Sequence, residues 1–155
     1  MSVELDGRAT PAANSFDEIV RQAEKHEGLF TLYRVQRDLF AEIQPEQLDT
    51  PFLFLISRGS GLGERNVYFG DPVKDALVVF RRVEDQVQLM QPNIRVRAPS
   101  GSALEHSVRR SFADSLLGCF TIEAIHDERQ SLLINLSSYL LTDVAGTARA
   151  LNQPE

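Results

Sequence analysis

Apolar residues recur along most of this chain at every second position, the spacing of half-buried strands. From Leu29, "LFTLYRVQRDLFAEI" predicts a β-hairpin turning near Gln36 to Asp38. "PEQL" follows as one helical turn, and "PFLFLIS" is apolar on both faces, the pattern of a central strand. "DALVVFRRVEDQVQLMQP" predicts a second hairpin turning at Glu84 and Asp85. "NIRVRAP" reads as extended up to Pro99, which places Arg95 and Arg97 on one strand face. "FTIEAIHDERQSLLINLS" predicts a third hairpin, turning near Asp127 to Arg129.

Two segments break this alternation. In "SFDEIVRQAEKHEG", Ser15 and Glu18 have capping-box spacing, and Phe16, Ile19 and Ala23 share one face. Gly28 then supplies a left-handed stop. "SALEHSVRRSFADSLLG" repeats the logic: Ser102 and Glu105 form the box, Leu104, Val108, Ser111 or Phe112, and Leu116 the stripe, and Gly118 the end. The "YLLTDVAGTARALNQPE" tail has room for a short helix after Thr142. The expected fold class is α+β, a mostly antiparallel sheet built from β-hairpins with two short amphipathic helices. The expected boundaries are a flexible lead-in over 1–14, a single domain over 15–150 and a tail over 151–155.

Composition narrows the function classes. A chain of 155 residues suits one domain with a core that needs no disulfide or metal. The net charge of -6 opposes a phosphate backbone, so no nucleic-acid partner is expected. The apolar runs are too short for a membrane span. The opening "MSVELDGRATPAANS" lacks the basic-then-apolar order of a signal peptide, so the chain as written is expected in the cytoplasm. The single cysteine, Cys119, lies among apolar neighbours in "LLGCFTI" and is expected to be a buried, inert thiol.

Candidate chemistry is sparse. "SRGSGLGERNVYFG" resembles a phosphate-binding turn, because glycines 59, 61 and 63 follow an apolar strand. Its spacing fits neither a P-loop nor a dinucleotide fingerprint, since Glu64 stands where a third glycine would pack. The "NVYFGDP" continuation is β-prone and offers no helix N-terminus for an anion. A turn-rich connection is the better reading. His26, His106 and His126 lie far apart, and no H-E-x-x-H or G-x-S-x-G occurs. His126 falls in a turn and is expected to face solvent. The arginines at 81, 82, 95, 97, 109 and 110 are expected to serve in local ion pairs. No catalytic residue, cofactor site or metal site is assigned.

Several segments together suggest a family. "FDEIVRQAEKHEGLFTLYR", "LFAEI", "LDTPFLFL", "GLGERNVYFGDP", "FRRVEDQVQLMQPNIRVRA" and "RRSFADSLLGCFTIEAIHDERQSLLINLSSYLLTDVAG" cover Phe16 to about Gly146. They resemble the amino-terminal accessory region of bacterial, cyanobacterial-type, zinc-dependent metalloproteases of the H-E-x-x-H class. The resemblance implies a non-catalytic domain that docks on its protease domain, with zinc held only in that later catalytic domain. It also implies export to the periplasm if the chain is a fragment of a typical member. Gly61, Glu64 and Arg65 become candidates for a loop or interdomain contact. The alternative is a stand-alone module that binds a protein or peptide through an exposed strand edge. A small nucleotide-binding enzyme ranks below both.

Overall fold

The computed structural model describes residues 15–60, 68–70 and 72–143. They form β1 (Glu24–His26), β2 (Thr31–Val35), β3 (Asp38–Ile43), β4 (Phe52–Ser57), β5 (Pro72–Val83), β6 (Gln86–Gln91), β7 (Ser115–Ile125) and β8 (Leu132–Asn135). Three short helices accompany them, α1 (Phe16–Val20), α2 (Ala103–Ser111) and α3 (Ser137–Leu140), with one 3-10 turn at Pro45–Gln47. The eight strands make one sheet in the order β1-β2-β3-β8-β7-β6-β5-β4. Every pairing between these strands is antiparallel. The fold is therefore β-rich, a mostly antiparallel sheet with a few short helices.

Sequence order and spatial order part company at two places. β8 inserts between β3 and β7, so Ala41 faces Ile134 although β4 to β7 lie between them in sequence. β3 connects to β4 although the two stand at the third and eighth places of the sheet. In a flat sheet five strand spacings of about 4.8 Å would separate them. The short link carries the 3-10 turn and then touches β5: Leu48 bridges Phe80, and the Asp49 amide donates to the Phe80 carbonyl at 2.7 Å. A flat sheet cannot allow that contact, and the sheet curls into a half-barrel.

Alternation assigns the two faces. The concave face carries Ala41, Ile43, Ala76, Val78, Phe80, Val87, Leu89, Phe120, Leu132 and Ile134, all buried. Registers place them side by side, with Phe52 opposite Val78, Phe80 opposite Leu89 and Val87 opposite Phe120. Part of the convex face is closed by α1, whose Phe16 packs with Tyr33, Ala124 and Leu133. Both halves of the Ser15–Glu18 capping box are present. The turns after β2 and β5 place Gln36 at φ 55° and Glu84 at φ 54°, the left-handed region uncommon for residues with a side chain.

Several expectations change. The first helix stops at Val20, and residues 24–26 become edge strand β1 against β2, so Gly28 ends no helix. The second ends at Ser111, because β7 takes Leu116 and Gly118 into pairing with β6. Leu104 and Phe112 of its stripe remain exposed, and none of the described α2 side chains is buried. The segment 92–99 forms no strand, so Arg95 and Arg97 do not share a strand face. β4 is an edge strand, not a central one, with Phe52 and Phe54 turned inward and Leu53 and Leu55 outward. Cys119 is exposed, because its neighbour Phe120 takes the inward position. Its thiol donates to Gln86 Oε1 at 3.0 Å. The tail helix expected after Thr142 falls largely on residues outside those described, as do the lead-in over 1–14 and the tail over 151–155.

Gly118 has a steric role in place of the capping one. A Cβ there would stand 3.1 Å from two Tyr139 ring carbons and 3.2 Å from the Phe120 ring. Both rings close over the bare backbone. Gly118→Val is expected to destabilise the fold by about 1–3 kcal/mol through overpacking. Urea unfolding measures this, and an unchanged midpoint would show that the rings are not held there.

Candidate functional site

The polar centre of the molecule is Glu42. It lies in "LFAEI", where alternation turns Ala41 and Ile43 to the concave core and Glu42 to the convex side beneath α1. Its carboxylate is 3% exposed. Oε1 accepts from Ser131 Oγ at 2.6 Å, Arg129 Nε at 3.0 Å and Gln44 Nε2 at 3.1 Å. Oε2 accepts from the Tyr33 hydroxyl at 2.8 Å. Burial pushes the Glu42 carboxyl up, but the bonds from Ser131, Tyr33 and Arg129, with the Arg129 charge, outweigh it and hold it below the usual range. Burial, then the bond to Glu42 and its charge, push the Tyr33 phenol up to about 12.

This arrangement fastens the fold. A carboxylate that already accepts four hydrogen bonds has little capacity left for a metal or an attacking water. The network joins β2, β3 and the turn between β7 and β8. That turn also carries His126, whose Nδ1 accepts from the amides of Glu128 and Arg129, both at 3.2 Å. The His126 ring meets Phe16 edge-on at 5.1 Å and is half-buried, against the expectation of a solvent-facing histidine. Arg129 lies over the same Phe16 ring at 5.6 Å. A lone carboxylate within an apolar strand run is the signal by which the sequence marks Glu42.

The second candidate is the convex face around β4. Leu53 and Leu55 are 67% and 58% exposed, and the register sets them beside Leu77 and Asp75 of β5. Leu77 borders a surface groove of about 420 Å³, whose far wall carries Ile94, Arg95 and Phe112. Ile94 and Phe112 are also exposed, and between them and the sheet edge the groove is mixed, with Asp75, Gln91, Asn93 and Arg95 in its lining. Among the described residues no strand pairs with the outer edge of β4.

The other predicted positions scatter. Gly61, Glu64 and Arg65 lie outside the described residues. Of the glycine-rich stretch, Gly70 is described, and its amide donates to the Arg58 carbonyl at 2.9 Å. His26 stands on β1, 3.5 Å from Glu24, and His106 on the exposed side of α2. Arg81 pairs with Asp49 at 3.0 Å and approaches Asp114 at 3.9 Å, the local use expected of it. Among the described residues no three His, Cys, Asp or Glu side chains gather closely enough to hold a metal. No described helix is long and apolar enough to cross a membrane.

The geometry is that of a curled antiparallel sheet with one face fastened by a buried carboxylate and, among the described residues, one edge unpaired at β4. The chain belongs to the family defined by the domain of unknown function DUF5117, which matches residues 70–155. Within the described residues, that match covers β5 to α3, which includes the four adjacent strands β8-β7-β6-β5. No curated protein and no solved structure matches the chain.

Two outcomes test the Glu42 network. Glu42→Gln removes the charge that Arg129 faces and is expected to cost about 2–4 kcal/mol in urea unfolding, toward the low side because Arg129 is half exposed. Tyr33→Phe separates the alkaline limb. A phenol raised from 10.0 to about 12 stabilises the fold fully below pH 10. That contribution is lost as pH rises through about 12, so the wild-type advantage over Tyr33→Phe is expected to shrink there. A pH-independent difference would contradict the network. On the acid side, the lowered carboxyl contributes above its ordinary unfolded value and loses its contribution as pH falls through the folded one.

Proposed function

We propose that this chain is a non-catalytic docking domain that binds a protein partner through the open edge of β4. The observation that carries this reading is the contrast between the two sheet edges. β1 is short and wholly titratable, Glu24-Lys25-His26, the kind of edge that resists pairing with other strands. β4 has six residues, Phe-Leu-Phe-Leu-Ile-Ser, with no charge and no proline. An uncharged edge with exposed leucines at alternate positions suits an added strand, whose backbone supplies hydrogen bonds while its side chains meet Leu53, Leu55 and the groove.

The partner this surface favours is an extended, uncharged segment with apolar residues at every second position. The resemblance to metalloprotease accessory regions supplies a concrete partner, the zinc-dependent protease domain of such a protein, and docking there would place this chain beside a catalytic site it does not itself contain. A stand-alone peptide-binding module would use the same edge.

The test is a binding titration between this chain and a separately expressed protease domain of that class. Wild type is expected to bind. Leu53→Lys/Leu55→Lys is expected to keep its unfolding midpoint, because both side chains are already exposed. Losing about 1–2 kcal/mol of apolar contact at each leucine weakens binding by a factor of roughly ten or more. Absence of wild-type binding rejects the protease partner. Undiminished binding by the double variant rejects the β4 edge.

A further inference from the structure

The concave side of the half-barrel contains a cavity that neither the open edge nor the Glu42 network uses. Its volume is about 140 Å³. Six aromatic side chains border it: Phe30, Phe52, Phe54, Phe80, Phe120 and Tyr139. The rest of the wall is aliphatic, with Ala41 and Leu89 from the strands and Leu140 from α3. No polar atom of the described residues faces the space. The space opens to solvent on one side, but water inside it finds no hydrogen-bond partner in the wall, which favours an apolar guest.

The cavity persists because its walls are held from behind. Phe30 meets Phe52 at 5.1 Å and Phe80 at 5.4 Å, both edge-on. Phe120 meets Tyr139 at 5.6 Å, and Tyr139 is seated on the bare backbone of Gly118. Swinging any of these rings inward would forfeit a ring contact worth about 0.5–1.5 kcal/mol. Ala41 is too short to fill the space. Leu140 is 48% exposed and gives the wall an apolar connection to the surface.

We propose that this cavity binds a small, uncharged aromatic ring of about benzene size, entering past Leu140. Ring walls offer such a guest edge-to-face contacts, and the lack of polar lining excludes charged analogues, which would lose hydration without compensation. The site lies on the opposite face of the sheet from Leu53 and Leu55, so it stands or falls independently of the docking proposal.

The experiment is a methyl NMR titration of the full chain with benzene, and with benzoate as the charged control. Benzene is expected to shift the Ala41, Leu89 and Leu140 methyl resonances saturably, and benzoate to leave them in place. Ala41→Leu, which fills the space, is expected to weaken benzene binding by about tenfold or more. Leu140→Trp narrows the entrance from a half-exposed position and decides the matter if Ala41→Leu does not fold. Leu53→Lys/Leu55→Lys is expected to bind benzene as wild type does. Shifts that do not saturate or that spread over the surface would overturn the proposal, as would equal binding of benzoate or wild-type affinity in the folded cavity variants.

Discussion

Phe80 is the point on which the architecture closes. Its carbonyl accepts the Asp49 amide and its backbone bridges Leu48, which ties the link after β3 to the middle of β5. Its ring meets Phe30 at 5.4 Å, Phe52 at 5.3 Å and Phe120 at 6.5 Å. Phe30 precedes β2 and Phe52 opens β4, so one side chain gathers residues from opposite ends of the sheet. A sheet curls when side chains on one face attract each other more than flat pairing favours its extension. Here aromatic rings supply that attraction, because each buries a large area and holds neighbours in edge-to-face geometry. The short connection from β3 to β4 is possible only in the curled form.

Curling makes the two faces unequal. The concave face becomes the main core and, lined by large rigid rings, keeps a residual apolar space. The convex face is wider, and α1 with the β7–β8 turn covers only the part over β2, β3, β7 and β8. Beneath that cover lies Glu42, and its four donors show what a carboxylate requires when it leaves water: burial alone would neutralise it, whereas a full set of hydrogen bonds keeps it charged. Among the described residues no helix covers the outer side of β4, and Leu104 of α2 and Phe112 after it are themselves exposed. One end of the convex face is thus covered by α1, and at the other Leu53 and Leu55 remain exposed.

The local devices of the sequence were legible where they depend on near neighbours. The turns at Gln36, Glu84 and Asp127–Arg129, the 3-10 turn at Pro45–Gln47 and the capping box at Ser15 fall where residue chemistry places them. The second box formed by half: Ser102 accepts from the Glu105 amide, while the Glu105 carboxylate turns to the Gly101 amide at 2.7 Å. Helical periodicity extends past the true helix ends into residues 21–28 and 112–118, since it cannot register that a neighbouring strand offers a better ladder. Burial at Cys119 and His126 is not a local property: Phe120 takes the inward position next to Cys119, and Phe16 packs over His126 from α1.

The sequence by itself determined an acidic, β-rich chain whose alternating segments and turn residues specify which stretches are strands, because strand period and turn chemistry are local properties. It contained neither H-E-x-x-H nor G-x-S-x-G, and Glu42 was visible in it only as a carboxylate out of place in an apolar run. The tertiary structure alone decided which strand stands at the edge, since "PFLFLIS" carries the same apolar residues whether it is central or terminal. It also decided that Tyr33, Arg129 and Ser131 converge on Glu42, and that six rings line one apolar space. These outcomes depend on strand order and curvature, which arise from contacts between residues as far apart as Ala41 and Ile134.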